Sequence, residues 1–219
     1  MLKIKKLRIA KSVAKTLSIL MQPFLIPVYS VTLLLLYTNF YGMYMGQILR
    51  FLLPVFAFTF VLPSAFIQTL FKLGYIRDLS LSNRSERIFP YIIFIVSNVS
   101  LTYFFYSAGV YLWFLGLIIA PAIVALVGLI INLFWKISAH MLGIGCLVGT
   151  IMSVCFNVKG TNQALLFMWL FLFAGILGVS RLCLRNSTSA QVYVGFVVGF
   201  IVAYLSVFIA IFSLVISFK

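Results

Sequence analysis

Residues 110–134 read VYLWFLGLIIAPAIVALVGLIINLF, an apolar run without one charged side chain. A helix rises about 1.5 Å per residue, so roughly 20 such residues cross the hydrocarbon core of a bilayer. Only helices or closed barrels satisfy the backbone in lipid. This run is continuous rather than alternating, so it reads as a helix. Working outward, similar runs occupy 17–38, 50–72, 90–107, 139–156, 163–183 and 190–217. The expected fold is an all-α integral membrane bundle of about seven transmembrane helices. Residues 17–219 form its single domain, behind a basic surface segment at 1–16.

Composition points the same way. Hydrophobic residues make up 64% of the chain and charged residues 8%, against roughly 25% charged in soluble domains. A water-soluble fold is excluded. Sixteen Lys and Arg face two acidic residues, a balance that in a soluble protein would suggest nucleic acid. Here the charges flank apolar runs, so anionic lipid headgroups and topology account for them, and no nucleic-acid partner is expected. Cys146, Cys155 and Cys183 form no CxxC pair. With one histidine and two acids (Asp78 and Glu86), neither a metal site nor a cofactor is implied.

The segment MLKIKKLRIAKSVAKT at 1–16 could imitate a signal peptide. The run after it is long, contains Pro23 and Pro27, and has no clear small-residue cleavage site. It reads as a retained first span, with the basic segment on the membrane surface. Seven spans put the N-terminus on the same face as the loops at 73–89, 135–138 and 184–189. Thirteen of the sixteen basic residues then share that face, leaving Arg50, Lys159 and Lys219 opposite. The positive-inside rule makes the crowded face cytoplasmic. Two GxxxG spacings, Gly145/Gly149 and Gly195/Gly199, suit close helix packing.

Three loops on the charged face hold the residues that could carry chemistry. The first runs from Arg77 through Arg84, Glu86 and Arg87 to Pro90. The second is Lys136-Ile-Ser138-Ala-His140. The third holds Ser180-Arg181, then Arg185-Asn186-Ser187-Thr188, and leads to Gln191. Arginine forks match phosphate oxygens, and the free N–H groups of a helix start do the same, so together these groups read as an anion site. Lys72, Arg77 and Arg185 read as solvated loop charges. Arg84 and Arg87 have an equal alternative in pairing with Glu86 or binding headgroups, and Lys136 could simply snorkel. The sole histidine at a membrane-helix boundary, and an arginine near the end of an apolar span, are better functional candidates.

Arg84/Arg87 with Pro90, then Ser138-Ala-His140, then Ser180-Arg181 with Gln191-Val-x-x-Gly195, resemble the three ordered motifs of the type 2 phosphatidic acid phosphatase superfamily. FWKISAHMLGIG and SRLCLRNSTSAQVYVG are similar to its seven-span bacterial members. The resemblance implies a bundle core of that fold in a bacterial inner membrane, and metal-free hydrolysis of a lipid or isoprenoid phosphate. It also implies that Arg84 or Arg87, with Ser138 and Arg181, binds the phosphoryl oxygens, a set to which the anion-site reading adds Lys136, and that His140 protonates the leaving oxygen. Two spans separate the first and second motifs, where other branches of the family have none, and the chain departs from the motifs themselves in four places. Ser187 stands where the family has its nucleophilic histidine, and Gln191 where an acid orients it. Ala139 replaces glycine, and Arg87 is separated from Pro90 by two residues. The expected function is lipid-phosphate binding at the cytoplasmic face with impaired hydrolysis. A small transporter or membrane assembly subunit is the alternative. Against transport, the charge sits at one face rather than at broken helices near the midplane.

Overall fold

A computed structural model describes residues 2–37, 48–75, 85–159 and 163–217, and the side chains of 11–37, 48–75, 86–157 and 163–213. All regular structure among them is helical: α1 (Leu2–Leu20), α2 (Ile26–Tyr37), α3 (Ile48–Phe56), α4 (Leu62–Lys72), α5 (Ile88–Ser107), α6 (Leu112–Phe134), α7 (Ala139–Val154), α8 (Ala164–Cys183) and α9 (Ser189–Ser217). Seven stretches are long and apolar enough to cross a membrane: Lys11–Leu36, Ile48–Lys72, Ile88–Ser107, Leu112–Phe134, Ala139–Asn157, Ala164–Cys183 and Ser189–Ser213. The chain is a multi-pass membrane protein.

Three boundaries differ from the sequence expectation. The basic segment and the start of the first span form one helix, so nothing breaks at residue 16. The break comes at Gln22, whose backbone is extended (φ −64, ψ 136) before the single 3-10 turn Pro23–Leu25. Pro23 has no N–H to continue the helix, which is why α1 stops there. The second span carries Pro54 within α3 and then a π-helical turn at Ala57–Val61, followed at once by Pro63, which lacks the N–H that an α-helix would donate to the Thr59 carbonyl inside that turn. The third span opens at Ile88, with Pro90 as its third residue. A proline is tolerated in that first turn because the N–H it lacks would be unpaired anyway.

A tight turn joins α5 to α6. Gly109 sits at φ +71, and the N–H groups of Gly109 and Val110 donate to the carbonyls of Tyr106 and Phe105, both at 3.1 Å. That is a Schellman closure, which favours glycine at its left-handed position.

The centre of the bundle is α7, buried along nearly its whole length and wrapped by α2, α6, α8 and above all α9. The two GxxxG spacings face each other across the α7–α9 contact. A methyl group at Gly145 would overlap the Phe196 carbonyl, one at Gly149 the Phe200 carbonyl, and one at Gly199 the Leu142 carbonyl. Lipid tails are as apolar as leucine, so membrane helices associate through such close backbone packing. Overfilling a packed interior costs about 1–3 kcal/mol and sometimes more. Gly199→Leu should therefore lower the thermal midpoint of detergent-solubilised protein by several degrees. Gly175→Leu, at a glycine with open space around it, should not. Equal midpoints for the two variants would contradict this packing.

Candidate functional site

The three motif loops meet at one end of the bundle, each placed by a helix terminus. Arg87 closes the 3-10 turn Ser85–Arg87 and caps the start of α5. Its Nη1 donates to the Ile137 carbonyl at 3.0 Å, tying α5 to the linker between α6 and α7. Ser138 occupies the N-cap of α7, yet its hydroxyl makes no capping bond. Gly195 of α9 lies against this turn: a Cβ there would be 3.0 Å from the Ser138 carbonyl and 3.2 Å from Met141 Cβ. The motif glycine thus serves the position of the Ser138–His140 turn.

The third loop is a helix-to-helix corner. Arg185 takes a left-handed backbone (φ 54), and its N–H donates to the Leu182 carbonyl at 2.9 Å. The Asn186 N–H donates to the Arg181 carbonyl at 3.3 Å. This is a Schellman ending with arginine where glycine is usual. Two residues later, the Thr188 N–H donates to Gln191 Oε1 at 3.1 Å, and the Gln191 N–H donates to Thr188 Oγ1 at 3.4 Å. The pair is a capping box that starts α9. Gln191, at the position of an orienting acid in the motif, is spent on capping. The resemblance did not indicate this role, although the Thr-x-x-Gln spacing carries its signature.

Arg87, Ser138, His140, Arg181 and Ser187 all line one cavity of about 380 Å³. Lys136 is not among its lining residues, but it is close enough for Arg87 and Arg181 to act on its charge. Arg84 lies outside the described residues. Ser180, beside Arg181, is turned away from ligand work, since its hydroxyl donates to the Ile176 carbonyl at 2.8 Å.

Four polar residues that the motif reading missed also line the cavity. Lys15 and Ser18 come from α1, Gln22 from the break after it and Tyr91 from α5. Tyr91 lies one helical turn beyond Arg87, so its side was legible from the i, i+4 spacing. Ser18 had no such signal, being 122 positions from the residue it meets: His140 Nε2 lies 3.0 Å from the Ser18 carbonyl. A carbonyl only accepts, so Nε2 carries the hydrogen and, in the neutral ring, Nδ1 keeps a lone pair.

The polar end of the cavity has unmet hydrogen-bonding capacity. Ser18 Oγ, Tyr91 Oη, Ser138 Oγ and Arg181 Nε are buried with no protein partner among the described residues. Their residues are only 7%, 8%, 2% and 8% exposed. Lys15, Arg87 and Arg181 bring positive charge, and among the described residues no Asp or Glu lines the cavity. Buried polar groups are nearly always paired, so this arrangement suits a ligand with several acceptor oxygens and negative charge.

Just outside the spans, burial pulls the Arg87 guanidinium below its ordinary value, with the nearby Tyr91 opposing. Burial, then Arg87 and Arg181, pull the Lys136 ammonium below its usual 10.5. An anion bound beside these cations would raise the Lys136 pKa again. Its contribution to binding would then be fully present below the lowered ligand-free pKa and be lost as pH rises through the bound-state value. Affinity for an alkyl phosphate should start to decline below pH 10.5, and Lys136→Arg, which stays charged, should flatten that decline. Identical pH profiles would contradict a role for Lys136.

Compared with family models, curated proteins and solved structures, the chain matches none.

Proposed function

We propose that this protein binds the phosphate group of a membrane lipid phosphate at the charged end of the bundle, and that it hydrolyses the bound ester negligibly. The observation that carries this reading is the buried set of donors on Ser138 and Arg181 without a partner among the described residues, beside Arg87 and His140, in a cavity that no described carboxylate lines. A phosphate supplies the acceptors and the negative charge that these donors lack. The start of α7 adds its first N–H groups, which are unpaired within any helix. Phe24, Phe94 and Val124 on the cavity wall suit the apolar part of the same molecule.

The resemblance to the type 2 phosphatidic acid phosphatases supports the same ligand class and indicates which step is lost. There an imidazole attacks phosphorus; at the matching position this chain offers the Ser187 hydroxyl. A serine hydroxyl is a weak nucleophile unless a base takes its proton. The one histidine lining the cavity, His140, would have to be that base while also serving the leaving group. The positive-inside pattern favours a cytoplasmic cavity mouth in a bacterial inner membrane.

The test is to incubate purified protein with a panel of lipid phosphates and to measure binding and phosphate release together. Saturable binding without release above background is the expected result. Absence of saturable binding to every member, or release at enzyme-like rates, would overturn the reading.

A further inference from the structure

We infer, building on the phosphate-binding reading, that the ligand is a single-chain phosphate whose chain enters the bundle, and that Ala125 and Cys146 at the deep end set how much chain is held. The cavity does not stop at the charged groups. It continues along three helices to Phe94 on α5, past Ala125 to Pro121 on α6, and to Cys146 on α7. Cys146 lies six residues beyond His140 on one helix, about 9 Å deeper at ~1.5 Å per residue. Phe94 is similarly seven residues beyond Arg87. The donors therefore sit at one end of a slot whose remainder is apolar apart from Gln22, the form of an amphiphile with one polar end.

Size and walls restrict the slot to one chain. Ligand pockets run from roughly 300 to 1,000 Å³, and 380 Å³ is near the bottom of that range. Phe24, just after the break between α1 and α2, stacks on Phe94 with ring centroids 5.3 Å apart. That stack pins the N-terminal wall to α5 beside the slot and leaves little width for a second chain. Beside Phe94, Pro121 and Val124, two side chains in the deeper half are small. Ala125 and Cys146 are 4% and 1% exposed, and a larger side chain at either position would take up slot volume. Neither residue belongs to the phosphate-binding groups, so changing it should alter chain preference while leaving headgroup recognition intact.

The experiment measures equilibrium binding of ethyl, butyl, octyl and dodecyl phosphate, and of two-chain dihexanoyl phosphatidate, to the full chain in nanodiscs. Free ligand is kept below micelle formation, and binding to empty discs is subtracted. Each methylene that enters the slot should tighten binding about fourfold, from the ordinary free energy of apolar burial. Affinity should rise from ethyl to octyl and then flatten. Dodecyl phosphate should bind at least about tenfold tighter than dihexanoyl phosphatidate, whose two acyl chains together hold the same number of carbons as the dodecyl chain. Ala125→Leu and, independently, Cys146→Leu should bring the plateau to shorter chains with ethyl phosphate affinity unchanged, which also reports that the variants are folded.

A wild-type profile flat in chain length, or a two-chain ligand bound as tightly as dodecyl phosphate, would overturn the inference and leave the phosphate site standing. A variant that loses ethyl phosphate has lost its fold or site, and the wild-type profile then decides alone. If the wild-type protein binds none of the ligands, the phosphate-binding reading falls, and this inference with it.

Discussion

Replacing Arg181 by alanine should weaken octyl phosphate binding by about 10- to 100-fold, the usual worth of a hydrogen bond to a charged group, while Arg185→Ala stays within about twofold of wild type. The two arginines are four residues apart and carry the same charge, so the contrast tests placement rather than net charge. Arg181 is buried against the cavity with Nε unpartnered. Arg185 is exposed at the left-handed position of the corner. Arg181→Met carries a second expectation of opposite sign. A buried charge without a counter-charge is costly in a membrane bundle, so this variant should be more stable than wild type without ligand, although it binds poorly. Equal binding losses for Arg181→Ala and Arg185→Ala, or an unstable Arg181→Met protein, would count against the site.

The second large effect concerns turnover. Native protein should release phosphate from lipid phosphates at background rates, and Ser187→Ala should change nothing. Ser187→His should raise release by about a hundredfold or more, since losing one member of a catalytic unit typically costs several powers of ten. Neutral imidazole is nucleophilic near pH 7 without a partner base, whereas the hydroxyl is not. Full restoration is not expected, because Gln191 is held in the capping box with Thr188. It therefore cannot orient the new ring without giving up the start of α9. Robust native turnover abolished by Ser187→Ala would make Ser187 a true nucleophile and end the impaired-enzyme reading. Turnover that survives that change would mean the nucleophile lies elsewhere.

The architecture was legible because burial in lipid leaves a coarse trace in sequence. The charge-free stretch at 110–134 and its six counterparts correspond to seven helices with ends displaced by a few residues, apart from the first. There the span opens within α1, at Lys11 rather than at the polarity change near residue 16, and the extended backbone at Gln22 breaks it midway. The polar end of the cavity was legible from three short motifs, because Arg87, Ser138, His140, Arg181 and Ser187 each sit at or beside a helix terminus. What α1 adds was not legible. Ser18 reaches His140 through a backbone carbonyl, which has no residue-type signature, and its hydroxyl looks like any serine in an apolar run. The apolar slot was hidden for a related reason: Phe94, Ala125 and Cys146 come from three spans, and each alone reads as ordinary core. Lys136 shows the reverse. Its neighbourhood in sequence placed it among the binding residues, whereas the folded chain holds it outside the cavity lining, coupled to the arginines by charge.

The most direct test of the central claim is an experimental structure of the protein with a bound, non-hydrolysable octyl phosphonate. The account predicts the phosphonate oxygens within hydrogen-bonding distance of Arg181 Nε and Ser138 Oγ, with the chain running toward Cys146. A phosphonate seated elsewhere, with Arg181 and Ser138 paired to other protein groups, would contradict it.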